Sequence, residues 1–259
     1  MFIDSHAHLI KELYKENLDK ETFEASKNKA IFINNVGFNL KSSKEVIIIA
    51  RKYKNFFASI GIHPNDVDKF KKNTIEELKI LAEEKKVIAI GEIGLDYHRK
   101  ITDSDLQEEK FEEQIYLAKE LKLPILVHSR DSFADTIKVI KKIGYFNGIF
   151  HSFDYGINEA NKVLDIGMYI SFSGMLTFKS RNDLVETAKY IPPSKTLFET
   201  DSPFLAPVPM RGKVNRPAFV KYIYKFYGEV TNRDLNEIEE IVRENFNKIF
   251  KTNLIEKEV

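Results

Sequence analysis

Short β-branched runs alternate with stretches of helical periodicity along almost the whole chain. The apolar runs cover residues 2–8, 31–34, 56–62, 87–92, 125–128, 148–151, 168–171 and 196–201. Helical patterns are expected at 43–53, 74–84, 132–142, 158–166 and 182–190. A longer one opens near Ser104 and carries Phe111, Ile115, Ala118 and Leu121 at a 3.6-residue period. Thr74-x-x-Glu77 and Ser104-x-x-Gln107 read as capping boxes. The run at 87–92 is apolar on both faces, as a parallel strand covered by helices should be. The tail at 217–250 reads as two helices, the second opening at Thr231-x-x-Asp234. Eight strands that each lead into a helix predict an α/β fold, a single (β/α)₈ barrel domain over 1–259 with two extra C-terminal helices. An open doubly wound sheet is the rival, but no glycine-rich dinucleotide loop follows any of the strands.

Five of the six histidines fall where these runs end: His6, His8, His63, His128 and His151, with only His98 in a loop. Strand side chains alternate, so His6 and His8 share a face. The carboxyl rim of a barrel is where its active site is built, and Glu92 and Asp201 stand at the same rim. A lone histidine ending an apolar run is ordinarily a hydrogen-bonded core residue, and Asp201 before Pro203 could be a turn cap. Their convergence favours metal ligation, by His6, His8, Glu92, His128, His151 and Asp201. A carboxylate in a barrel mouth is costly unless paired or coordinating, which suggests a bridging Glu92. Asp4 and Glu199 are expected to be hydrogen-bond acceptors.

That donor set exceeds the roughly three protein ligands of one catalytic zinc, so two divalent ions are expected. Such a pair lowers the pKa of water from ~16 towards ~7, which implies hydrolysis, with Asp201 and Glu92 as the catalytic carboxylates and Asp201 as the base. The ions can be zinc, manganese, magnesium, cobalt or nickel, because the chain has no cysteine and every ligand must be nitrogen or oxygen. A net charge of +1 gives no electrostatic argument for nucleic acid, so a polyanion would need a local patch or bound cations. No apolar run approaches the ~18 residues of a membrane span and no leader pattern is read, so a cytoplasmic protein without a membrane partner is expected.

The motifs Asp4-Ser5-His6-Ala7-His8, Gly61-Ile62-His63-Pro64, Gly91-Glu92-Ile93-Gly94-Leu95-Asp96-Tyr97, Val127-His128-Ser129-Arg130-Asp131 and Glu199-Thr200-Asp201-Ser202-Pro203 lie collinear along nearly the whole chain. So do Asn35-Val36-Gly37 and 211–217. In these the chain resembles the TatD-type metal-dependent DNases of the amidohydrolase superfamily. The resemblance implies His6, His8, Glu92 and Asp201 at one metal and Glu92, His128 and His151 at the second. It also implies a phosphodiester, nucleic acid substrate, DNA foremost; cleavage from an end and a monomeric enzyme are expected. His63, Arg130, Arg211 and Lys213 would contact substrate phosphate. Ester hydrolysis, such as removal of a D-amino acid from tRNA, is an alternative, and a non-catalytic scaffold is a third. One departure stands at Ser152-Phe153-Asp154-Tyr155-Gly156, where the family usually has a Ser-Gly or Thr-Gly step and this chain an extra carboxylate.

Overall fold

The computed structural model describes residues 1–27 and 31–254. Eight strands run parallel in sequential order: β1 (Phe2–Ala7), β2 (Ile31–Val36), β3 (Phe56–Ile60), β4 (Val87–Asp96), β5 (Ile125–Arg130), β6 (Gly148–Phe150), β7 (Tyr169–Phe172) and β8 (Thr196–Phe198). Helices α1 (Lys11–Tyr14) and α2 (Leu18–Lys27) join the first two strands. The next six connections carry α3 (Leu40–Lys52), α4 (Thr74–Leu81), α5 (Ser104–Leu121), α6 (Phe133–Ile143), α7 (Ile157–Asp165) and α8 (Asn182–Tyr190). After β8 come α9 (Val220–Thr231) and α10 (Leu235–Phe250), both packed on β1 and β8. The (β/α)₈ barrel expected from the alternation is therefore present, with its two C-terminal helices across the seam where the first and last strands meet.

Burial explains the patterns. β2 and β4 are buried along their full length, enclosed by helices outside and side chains inside, hence the apolar runs at 31–33 and 87–90 on both faces. On α6, Phe133, Ile137, Ile140 and Ile143 form the buried stripe that its period predicts.

The helix starts differ from the expectation. Asp103, not Ser104, caps α5, accepting from the amides of Asp105 and Leu106. Gln107 instead bonds the backbone of Asp96 and Thr102. Thr74 lies inside α4, its hydroxyl accepting from the Lys71 amide. Thr231 closes α9 while Asp234 caps α10. At α5 and α10 a nearby aspartate took the capping role that spacing alone gave to a neighbour, while Asn73 precedes α4 without a side-chain cap bond.

The strand pairings slip at three places. Register shifts fall between Asp4 and Ala7 on β1, between Ala58 and Ser59 opposite β4, and between Ile90 and Ile93 on β4. Such bulges re-aim side chains beside functional sites. The last of them lets β4 continue to Asp96, four residues past the expected end, so that Glu92 projects from within a strand. Gly94 has a φ of 146°, and a Cβ there would meet the His128 carbonyl oxygen at 1.9 Å. Only glycine fits where β4 passes this close to β5.

The seam between β8 and β1 is closed mostly by side chains. Low on β1, the Tyr224 hydroxyl of α9 accepts from the Ile3 amide (3.1 Å) and donates to its carbonyl (3.0 Å). In the middle, Ser5 Oγ donates to the Phe198 carbonyl. The Asp4 carboxylate accepts from the Thr200 amide (2.8 Å) and hydroxyl (2.6 Å). Only at the top does backbone pair with backbone, as Asp201 N donates to His6 O and His8 N to Ser202 O, both at 2.9 Å. Asp4→Ala leaves a buried amide and hydroxyl of Thr200 without their acceptor and should cost about 2–4 kcal/mol in urea unfolding. Asp4→Asn keeps one acceptor and should cost less than half of that; equal losses would remove the hydrogen bonds from the explanation.

Candidate metal centre

β1 ends by delivering His6 and His8 to the mouth. Their Nε2 atoms lie 3.1 Å apart, facing each other. Glu92, turned by its bulge, places Oε2 3.5 Å from His6 Nε2 and 3.4 Å from His8 Nε2. Its other oxygen lies 2.7 Å from His128 Nδ1 and 2.8 Å from His151 Nε2. Those two nitrogens are themselves 3.2 Å apart. Asp201 Oδ1 is 3.4 Å from His8 Nε2. One buried carboxylate thus separates two pairs of imidazoles, and all six expected ligands are brought together.

Hydrogen bonds on the far ring nitrogens fix what His8 and His151 present. His8 Nδ1 is 2.8 Å from the Val36 carbonyl, a pure acceptor, so Nδ1 carries the proton and Nε2 a lone pair. His151 Nδ1 donates to Glu199 Oε1 at 3.1 Å, with the same result. His128 directs Nε2 to Asp96 Oδ2 at 3.5 Å and presents Nδ1 instead. Lone pairs facing each other at such distances repel unless a proton or a cation lies between them. A nitrogen and oxygen donor set of this kind fits zinc, manganese, cobalt or nickel.

His63 behaves differently. Its Nδ1 accepts from the Asn65 amide at 3.0 Å, so the ring proton sits on Nε2, 3.5 Å from Glu92 Oε1. Burial pushes its pKa down to about 3, leaving a neutral hydrogen-bond donor. It lies close enough to Glu92 and His128 to count with them as a possible ligand group. Its lone pair, however, is committed to the backbone.

Without metal, protons occupy the gaps. Burial opposes charge on His8, but hydrogen bonds and charge from Asp201 and Glu92 outweigh it and push the ring up to about 10. His151 also moves up, against burial, through the charges of Glu92 and Glu199. Burial likewise works against ionising Glu92 and Asp201, yet the surrounding imidazoles hold both below the usual carboxylate range.

The centre opens into a cavity of 690 Å³ that His8, His63, Glu92, His128, His151 and Asp201 help to line, while His6 sits fully buried behind them. Arg130 lines the cavity. Arg211 and Lys213 are not among its lining residues, and the Arg211 guanidinium lies 3.9 Å over the Phe178 ring. Asp154 does line it, with Oδ2 3.7 Å from Arg181. Asp4 and Glu199 accept hydrogen bonds as expected. Two residues were missed by sequence reasoning. Asp96, behind His128, lay in a quoted motif without a role. Arg99, in the turn after β4, carries no periodic signal at all.

A parallel barrel whose mouth gathers imidazoles and carboxylates in this way defines a metal-dependent hydrolase. The chain belongs to the TatD related DNase family, whose model matches residues 3–251. It is 37% identical to the uncharacterized metal-dependent hydrolase YabD of Bacillus subtilis (strain 168), over 98% of this chain and all of that one. It is 35% identical to the similarly described YcfH of Escherichia coli (strain K12), over 96% of this chain and 95% of the relative. Among solved structures, the TatD homolog YJJV of Escherichia coli superposes with a TM-score of 0.90 at 24% identity, covering 97% of this chain and 98% of that one, a likeness of fold.

Because the metal-free rings hold protons that a cation must displace, metal uptake at pH 7 should release protons and weaken as the pH falls. Calorimetric titration with zinc or manganese in two buffers of different ionisation enthalpy reads this directly. Identical heats in both would rule it out.

Proposed function

We propose that this hydrolase cleaves phosphodiester bonds of DNA with two divalent ions, one on either side of Glu92. The observation that carries the reading is the division of the Glu92 carboxylate, one oxygen towards His6 and His8 and the other towards His128 and His151. His6, His8, Asp201 and Oε2 would hold the first ion, and His128, His151 and Oε1 the second. When bound, the ions supply Lewis acidity that polarises a phosphoryl oxygen and makes water a stronger acid.

The chain's own groups do the rest. Asp201, ionised through its contact with His8, has a second oxygen free to take the proton of the attacking water and pass it to the leaving ester oxygen. His63 donates from Nε2 to a phosphoryl oxygen, a contact that a neutral ring makes at any ordinary pH. Arg130 is the cation of the expected set that lines the cavity, and it steadies substrate phosphate. Arg181 holds the extra carboxylate of Asp154, which weakens its repulsion of an incoming anion. The family description names DNases, and it supports DNA over other esters.

A metal panel assayed on a labelled oligodeoxynucleotide and, in parallel, on aminoacyl-tRNA tests the reading; cleavage of the tRNA ester alone would replace it. Asp201→Asn should lower kcat by about 10²–10⁴-fold while metal content stays near that of the parent. A variant as active as the parent removes Asp201 from the chemistry.

A further inference from the structure

The charges around the mouth are not spread evenly. On the side of α1 and the turn after β3, the lining includes Glu12, Asp66 and Asp68, and the one lysine there, Lys69, is spent on Asp66 at 2.5 Å. On the side of β4 and β5 it includes Arg99 and Arg130. Both are exposed, and neither guanidinium makes a hydrogen bond or ion pair among the described residues. Arginines without partners beside a metal centre are poised for an anion, because the planar fork matches phosphate.

Their placement is set by the backbone. Arg130 is two residues beyond His128 on β5, so the two side chains share a face, about 6.6 Å apart along the strand. Asp96 pairs in register with Arg130, and the turn after it returns residue 99 so that the Arg99 amide donates to Asp96 Oδ1. Arg130 therefore stands on the rung just outward of His128, and Arg99 in the turn that leaves the same rung, and both line the cavity. Asp154, whose carboxylate feels the charge of Arg130, is itself held by Arg181.

Building on the phosphodiesterase reading, we infer that Arg99, together with Arg130, forms a subsite for the phosphate next to the one being cleaved. A chain with a second phosphate is drawn across the β4–β5 side and repelled from the acidic turn after β3 that borders it. Arg99 then determines specificity, since a diester lacking the second phosphate gains nothing from it.

The test compares kcat/KM of the metal-loaded protein on a thymidine trinucleotide and on bis(p-nitrophenyl) phosphate, which has no flanking phosphate. Arg99→Ala should lower the ratio of the two about tenfold, through KM on the trinucleotide, and Arg99→Lys should restore part of it. The salt dependence of log kcat/KM on the trinucleotide should become shallower by about 0.7, the counterions released by one single-strand phosphate. If the parent cleaves both substrates and Arg99→Ala leaves their ratio unchanged, the subsite is wrong and the phosphodiesterase reading stands. If the parent cleaves neither, that reading fails and the subsite falls with it.

Discussion

Glu92 is a charge that the fold has buried, with 4% of its surface exposed, in the interior of a barrel mouth. Such a carboxylate is tolerable only when its charge is matched at close range. Every other feature of the mouth answers to that need. The β4 bulge turns the side chain inward, and Gly94 lets β5 come near enough to present His128. Four imidazoles take up positions around its two oxygens. Behind them, the Val36 carbonyl and Glu199 fix which nitrogen of His8 and His151 points in.

The same mouth straddles the weakest joint of the barrel. β1 and β8 meet with little backbone pairing, so side chains of Tyr224, Asp4 and Ser5 stand in for ladder bonds. The backbone bonds that do exist tie Asp201 to His6 and Ser202 to His8. Asp201 sits at a φ of 53°, a conformation a non-glycine residue holds only when its surroundings insist. Barrel closure and ligand geometry are therefore one set of interactions. Asp4 bears on the centre without reaching the cavity, through Thr200, the residue before Asp201.

The barrel was legible because its signal is repetitive: eight β-branched runs, each followed by a helical period, leave few alternative folds. The clustering of the histidines was legible for a related reason, since a strand end is a position that the apolar pattern itself marks. What the pattern could not carry was anything that depends on a local deviation from it. β4 reads as ending at Glu92 because Gly91 and Gly94 interrupt its apolar run, while in space the strand bulges and continues. Asp103 displaced Ser104 as a cap because either side chain can accept from the first turn, and spacing does not rank them. Arg99 has no periodic context, and what sets it apart, a guanidinium without a hydrogen bond or ion pair among the described residues, is visible only in three dimensions. Arg211 shows the converse, a cation in a quoted motif that stacks on an aromatic ring outside the cavity lining.

His63 shows how far proximity alone can mislead in such a site. It stands among Glu92 and His128 at ligand distance, and a count of donors would give it to a metal. A single backbone amide, that of Asn65, decides otherwise by occupying its lone pair. The ring is left neutral with a proton aimed at the centre, which suits it to touch a substrate oxygen and not a cation. That the loop after β3 donates this amide, through the turn that Pro64 initiates, makes the role of His63 a property of local backbone geometry. Tautomer thus separates rings that stand side by side: His8 and His151 turn lone pairs to the centre, and His63 turns a proton to it.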